Sequence, residues 1–265
     1  MLGTGSSGGV PRVGNAWGDC DPLEPRNRRR RCALLVERLA SSGAKTTVLI
    51  DAGADLREQL LSSDVRSLDG VLLTHAHADH IFGLDDLRQL ALGLARPIDV
   101  HMDENTSASV MRSFDYCFRQ APGSSYPRFL IEHRIVHPEA FAVSGPGGSV
   151  DVLPLLVEHG DIHALGFRVG DMAYLPDVKQ IAEVQSLDAL GGLKILVIDA
   201  LRRRSHPSHL NLEESLALIA RLAPERAVLT NLHSDLDYAT LAAELPANVE
   251  PGFDGLRIDL AASDV

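Results

Sequence analysis

Cysteine is scarce. Only Cys20, Cys32 and Cys117 occur in 265 residues, and none has a CxxC partner. That usage suggests a reducing, cytoplasmic setting more than a disulfide framework and argues against a cysteine zinc site. No apolar run approaches the roughly 20 residues that cross a bilayer, so no membrane partner is expected. The Gly/Ser-rich N-terminus lacks the basic-then-apolar order of a signal peptide. No repeat of 20–50 residues is visible, and no shift in composition marks a boundary, so one domain over residues 1–265 is expected. Excess positive charge is missing too. The net charge is -11 and the pI near 5.4, which argues against nonspecific binding to long nucleic acid. Local runs at Arg26, Arg28, Arg29, Arg30 and Arg31 and at Arg202, Arg203 and Arg204 suit either a solvated face or a small anionic ligand.

What the chain does have is histidine and aspartate at the ends of apolar runs. The densest group is His75-Ala76-His77-Ala78-Asp79-His80. It follows Gly70-Val71-Leu72-Leu73-Thr74, which reads as a buried strand, and precedes Ile81–Leu92, which has helical apolar spacing. A short strand-to-helix loop can turn neighbouring imidazoles in different directions, enough for two adjacent metal ions. Imidazole with carboxylate suits zinc or manganese, with iron a third candidate. The pattern recurs: Val150 to His159, Ile195 to Asp199 and Ala227 to His233 each run as an apolar strand into a histidine or aspartate, and Phe167 to Asp177 reads as a hairpin that ends in an aspartate. A lone histidine at a strand end is usually structural. Four such ends suggest convergence on one sheet edge.

Further elements can be read off. Residues 32–37 and 46–51 read as strands joined across Ser41-Ser42-Gly43. Asp51 ends the second of these and reads as the cap of a helix over 55–61. Ile98–His101 reads as a strand, and Asn105–Phe114, Asn211–Leu222 and Tyr238–Leu245 as helices. Residues 115–148, rich in Pro and Gly, read as an irregular region with His133 and His137 on the surface. Residues 249–260 read as a terminal hairpin or strand. The opening Gly3-Thr4-Gly5-Ser6-Ser7-Gly8-Gly9 is no Walker loop, since no Gly-Lys-Ser/Thr follows; glycine there allows close backbone approach and amides turned to an anion. Almost nothing precedes it, so the first strand is short or the true start lies upstream.

The order H-x-H-x-D-H resembles the signature of the metallo-β-lactamase-fold hydrolases. The N-terminal glycine run, Tyr174-Leu175-Pro176-Asp177-Val178 and Ser205-His206-Pro207-Ser208-His209-Leu210-Asn211 resemble the phosphodiesterase of the carbon–phosphorus lyase pathway (PhnP type) and, more distantly, tRNase Z. The resemblance implies an α/β fold, an αββα sandwich. It implies one metal on His75, His77 and His159, a second on Asp79, His80 and His233, with Asp177 bridging both, and Asp51 and Asp199 supporting the ligands from behind. A metal-bridging hydroxide would attack, with Asp79 in the catalytic set. His209 would touch the phosphate and act as general acid, and His206 would help to bind substrate. The implied substrate is a small cyclic or linear ribose- or nucleotide-type phosphodiester. The alternative is a thioester or lactone on the same fold. A homodimer is common in this fold, without being required.

Departures from the pattern are Pro176, where a threonine or serine often precedes the bridging aspartate, and the single Cys20 where relatives cluster cysteines around a structural metal. The long Gly/Pro-rich arm that grips tRNA is not evident. No chain remains for the helical domain of glyoxalase II or for a flavin domain, and a ligand-sensing member would have lost metal ligands that are all present.

Overall fold

The computed structural model describes residues 1–260. The backbone divides into two compact units. A middle unit holds residues 33–151, and a terminal unit holds residues 1–32 together with those from Val152 onward.

In the middle unit, β1 (Leu34–Leu39) and β2 (Lys45–Ile50) pair antiparallel, Leu34 opposite Ile50. The Ser41-Ser42-Gly43 turn joins them, with Gly43 at φ +83°, a conformation that only glycine adopts freely. After α1 (Leu56–Ser62), the strands β3 (Gly70–Leu72), β4 (Ile98–Met102) and β5 (Leu130–Arg134) add in parallel, giving the order β1-β2-β3-β4-β5. Parallel central strands are covered on both faces and read as continuous apolar runs; Leu49, Ile50, Val71, Leu72, Ile98 and Val100 are fully buried.

The single helix expected over Ile81–Leu92 is broken into α2 (Ala78–Ile81), a 3-10 turn (Leu84–Leu87) and α3 (Arg88–Leu94). The cause is close packing at Gly83, where a Cβ would lie 2.2 Å from the Gly53 carbonyl oxygen and 2.6 Å from Leu56 Cβ. The Gly83 N–H donates to the Ala52 carbonyl at 2.8 Å, so the chain leaves the helical path to press on the loop after β2. Next, α4 (Glu104–Phe118) is started by Asp103, whose side chain accepts from Thr106 N, and is kinked at Phe114, where the expected helix ends.

Residues 115–148 are more regular than expected. They contain the end of α4, the strand β5 and β6 (Phe141–Gly145). Pro122, Gly123, Pro127 and Pro138 fall between these elements rather than inside them, which is why local composition hides two strands. His133 is exposed and His137 half-buried.

The terminal unit takes β7 (Gly148–His159) from Val152 on, then β8 (Ile162–Val169) and β9 (Met172–Leu175), all antiparallel. Beyond α5 (Val184–Asp188) come β10 (Ile195–Asp199), α6 (Leu212–Leu222), β11 (Arg226–Thr230), α7 (Tyr238–Glu244) and β12 (Val249–Pro251). The strands β9, β10, β11 and β12 are parallel, so the C-terminal segment is a strand and not a hairpin. Leu175, Leu196, Ile198, Ala227, Leu229, Ile219 and Leu241 form its core. Asn211 closes a capping box with Glu214 at the start of α6, which fixes where the preceding loop ends. No helix among the described residues is long and apolar enough to cross a membrane.

Candidate metal centre

Each unit carries its own group of metal-type side chains at strand ends. In the middle unit, β2 ends at Asp51, a non-glycine residue at φ +66°. The turn brings its buried carboxylate against the histidine loop. Thr74 donates to it from both backbone N (2.9 Å) and Oγ1 (3.0 Å), and His80 Nδ1 lies 2.8 Å from Oδ2. Asp51 is therefore a support for His80, while the cap position of α1 belongs to Asp55. Burial pushes the Asp51 carboxyl up, and His80 and Thr74 pull it back. The loop packs so closely that a Cβ on Gly53 would lie 1.9 Å from the Asp79 carbonyl oxygen; only glycine fits. Within the loop, His75 Nε2 and His77 Nδ1 are 2.9 Å apart, and Asp79 Oδ2 lies 3.4 Å from His80 Nε2. His75 and His80 are buried, His77 exposed and Asp79 half-buried.

In the terminal unit, donor atoms of His159, Asp177 and His209 all lie within 4.8 Å of one another. His159 Nε2 is 3.9 Å and His209 Nδ1 3.7 Å from Asp177 Oδ1. His159 Nδ1 donates to the Ser208 carbonyl at 2.7 Å. His209 Nδ1 meets Asp199 Oδ2 at 2.7 Å, and the same oxygen accepts from Val178 N at 3.1 Å. The loop before α6 is held by Leu210 N donating to the Val178 carbonyl, which brings His209 beside Asp177. Burial pushes the Asp199 carboxyl up; the bond from His209 opposes this.

His206 turns its Nδ1 to Ser208 N and Oγ, with its ring centroid 5.0 Å from that of His209. Burial and the neighbouring His209 hold its pKa down. His233 follows β11, its Nδ1 3.0 Å from Asp235 Oδ1.

These donors fit a divalent metal by their chemistry. His80 and His159 each commit Nδ1 to an oxygen, which sets the tautomer that offers Nε2 to an ion; metal-binding histidines are held this way. Imidazole with carboxylate is the set for zinc, manganese or iron.

Several arginines of the two runs are committed within the protein. Arg29 is buried, with Nη2 donating to the Leu236 carbonyl at 2.8 Å and Nη1 to that of His233 at 3.3 Å. Arg26 pairs with Glu24, Arg30 with Asp254 and Arg203 with Glu244. Arg29, which the sequence places in a solvated face or an anion site, is thus an internal brace for the segment carrying His233. All three cysteines are buried, with no disulfide among the described residues.

A family model described as the beta-lactamase superfamily domain matches residues 46–231. A solved structure described as a new diphosphatase from the PhnP family is 33% identical, covering 98% of this chain and 96% of its own, with a TM-score of 0.85. The chain belongs to the beta-lactamase superfamily and is PhnP-like within it. The α/β fold, an αββα sandwich, is that of the superfamily. The octanoyltransferase of Porphyromonas gingivalis (strain ATCC BAA-308 / W83) is 35% identical over 97% of this chain and 50% of its own length. The ribonuclease Z of Bradyrhizobium diazoefficiens is 33% identical over 54% of this chain and 45% of its own. The chain thus spans about half the length of these curated relatives.

One residue beside the candidate site is silent in the sequence. Asn231, just beyond β11, is buried at φ +62° and donates into the Asp177 group. It sits two residues before a candidate ligand and at a strand end, the one signal that could have found it.

Proposed function

We propose that this chain is a dinuclear metal-dependent hydrolase of small cyclic or linear ribose- or nucleotide-type phosphodiesters. The observation that carries the reading is His209, held by a buried carboxylate at 2.7 Å and set beside His159 and Asp177. The 33% identical PhnP-family diphosphatase and the ribonuclease Z relative support a phosphate ester. The ligand set proposed from the family pattern is His75, His77 and His159 for one ion, Asp79, His80 and His233 for the other, and Asp177 for both. When bound, two such ions lower the pKa of a water and neutralise charge on the reacting phosphate.

The protein's own part follows from its hydrogen bonds. Asp51 and the Ser208 carbonyl orient His80 and His159. Asp199 holds His209 by Nδ1 and stabilises its protonated form, leaving the Nε2 proton to pass to the leaving oxygen. His206, on the same loop, borders the substrate.

A second reading, hydrolysis of a thioester or lactone, is favoured by the octanoyltransferase relative. A panel of bis(p-nitrophenyl) phosphate, a ribose cyclic phosphate, an acyl thioester and a lactone separates the two. Turnover of the phosphates at 10² times the rate of the acyl substrates or more is expected. The reverse order would replace the first reading with the second.

A further inference from the structure

We propose that Asn231 is a positioning residue that sets the direction of the Asp177 carboxylate. This rests on the reading of Asp177 as a metal ligand. The side-chain amide Nδ2 donates to the Pro176 carbonyl at 3.0 Å and to Asp177 Oδ1 at 3.2 Å. One amide thus grips the backbone before Asp177 and its carboxylate together. The same nitrogen is 3.2 Å from His209 Nδ1. That ring nitrogen is committed to Asp199 at 2.7 Å, so the two amide hydrogens go to the oxygens.

The backbone shows the cost of this placement. Asn231 is 3% exposed and lies at φ +62°, a left-handed conformation that most residues with a Cβ avoid. Glycine would hold the turn without strain but could not donate, and asparagine is one of the few side chains that tolerates it. Retaining the side chain makes sense if its two donors are needed. They are aimed at Asp177 and at the carbonyl of Pro176, which itself has no N–H and no side-chain oxygen with which to steady its neighbour.

The test uses the full chain, stripped of metal and titrated with zinc alone against a chromophoric chelator, with thermal unfolding followed in parallel. Asn231→Gly keeps the positive φ and removes both donors. Asn231→Asp keeps the shape and turns oxygens toward Asp177. Zinc affinity should fall about 10–100-fold in Asn231→Gly and further in Asn231→Asp, with kcat falling more than KM changes and the melting temperature of the glycine variant unchanged or higher. Wild-type zinc affinity and kcat in both variants would overturn the positioning role. His159→Ala is the control: if it loses zinc while Asn231→Gly does not, the positioning role alone fails. If His159→Ala binds zinc like wild type, the ligand reading of this site fails, and the role of Asn231 with it.

Discussion

Both units hold a histidine in the same way, and they differ in how well the holder is furnished. Asp51 ends a strand in the middle unit and grips His80 by Nδ1 at 2.8 Å; Asp199 ends a strand in the terminal unit and grips His209 by Nδ1 at 2.7 Å. Both carboxylates are fully buried. Asp51 is saturated, since Thr74 donates to both of its oxygens. Asp199 uses Oδ2, while its Oδ1 is buried with no hydrogen-bond partner among the described residues. An unsatisfied buried acceptor is costly, and such groups concentrate at working sites. His80 is sealed at 1% side-chain exposure, whereas His209 keeps 14%. The saturated pair suits a histidine that must stay put. The half-furnished pair suits one that takes up and gives away a proton.

The comparison breaks most directly at His209. His209→Ala should keep its metals and lose about 10²–10⁴-fold in rate on diesters with poor leaving groups, and far less on p-nitrophenyl esters. Equal losses on good and poor leaving groups, read from kcat and metal content together, would remove the proton-donor role.

Next come the matched Asp→Asn changes. In Asp51→Asn an amide nitrogen must face either the Thr74 donors or His80, so stability should fall by about 2–3 kcal/mol and bound metal with it. In Asp199→Asn the amide nitrogen can occupy the place of Oδ1 while the oxygen keeps both existing bonds. Stability should change by about 1 kcal/mol or less, while rate on poor leaving groups drops by about 10²-fold. Urea unfolding and metal analysis check both. Equal destabilisation of the two variants would contradict the contrast drawn between the carboxylates.

The smallest effect lies away from both pairs. His101 of β4 is stacked between His133 and Phe141, and burial lowers its pKa from 6.5 to about 4, with the nearby His133 adding to this. The unfolded chain then binds a proton at a higher pH than the folded one, so stability is intact above pH 6.5 and falls as pH drops towards 4. The loss should be about 1–2 kcal/mol, reduced from the full linkage value because part of the ring meets water. His101→Phe should flatten that part of the pH–stability curve.

The strands that end in histidine or aspartate were legible because their apolar runs stop at the residue that matters: His159, Asp199 and the His75–His80 loop lie where the runs end. Asp51 could be read only as a cap or a support, and the Thr74 bonds decide for support. What stayed hidden depended on distant partners. The break at Gly83 comes from backbone 30 residues earlier, at Gly53. The strands β5 and β6 are set among prolines and glycines that masked them. Arg29 looked like surface charge, and only the carbonyls of His233 and Leu236 explain its burial. Asn231 has no motif of its own; its meaning lies in the carboxylate 54 residues away in the chain.

The most direct test of the account is hydrolysis of bis(p-nitrophenyl) phosphate by the protein stripped of metal and then reloaded separately with zinc and with manganese. Activity that vanishes on stripping and returns with a stoichiometry of two ions per chain is the predicted result. A protein that binds two ions and leaves every phosphodiester intact, or hydrolyses one equally well without metal, would contradict it.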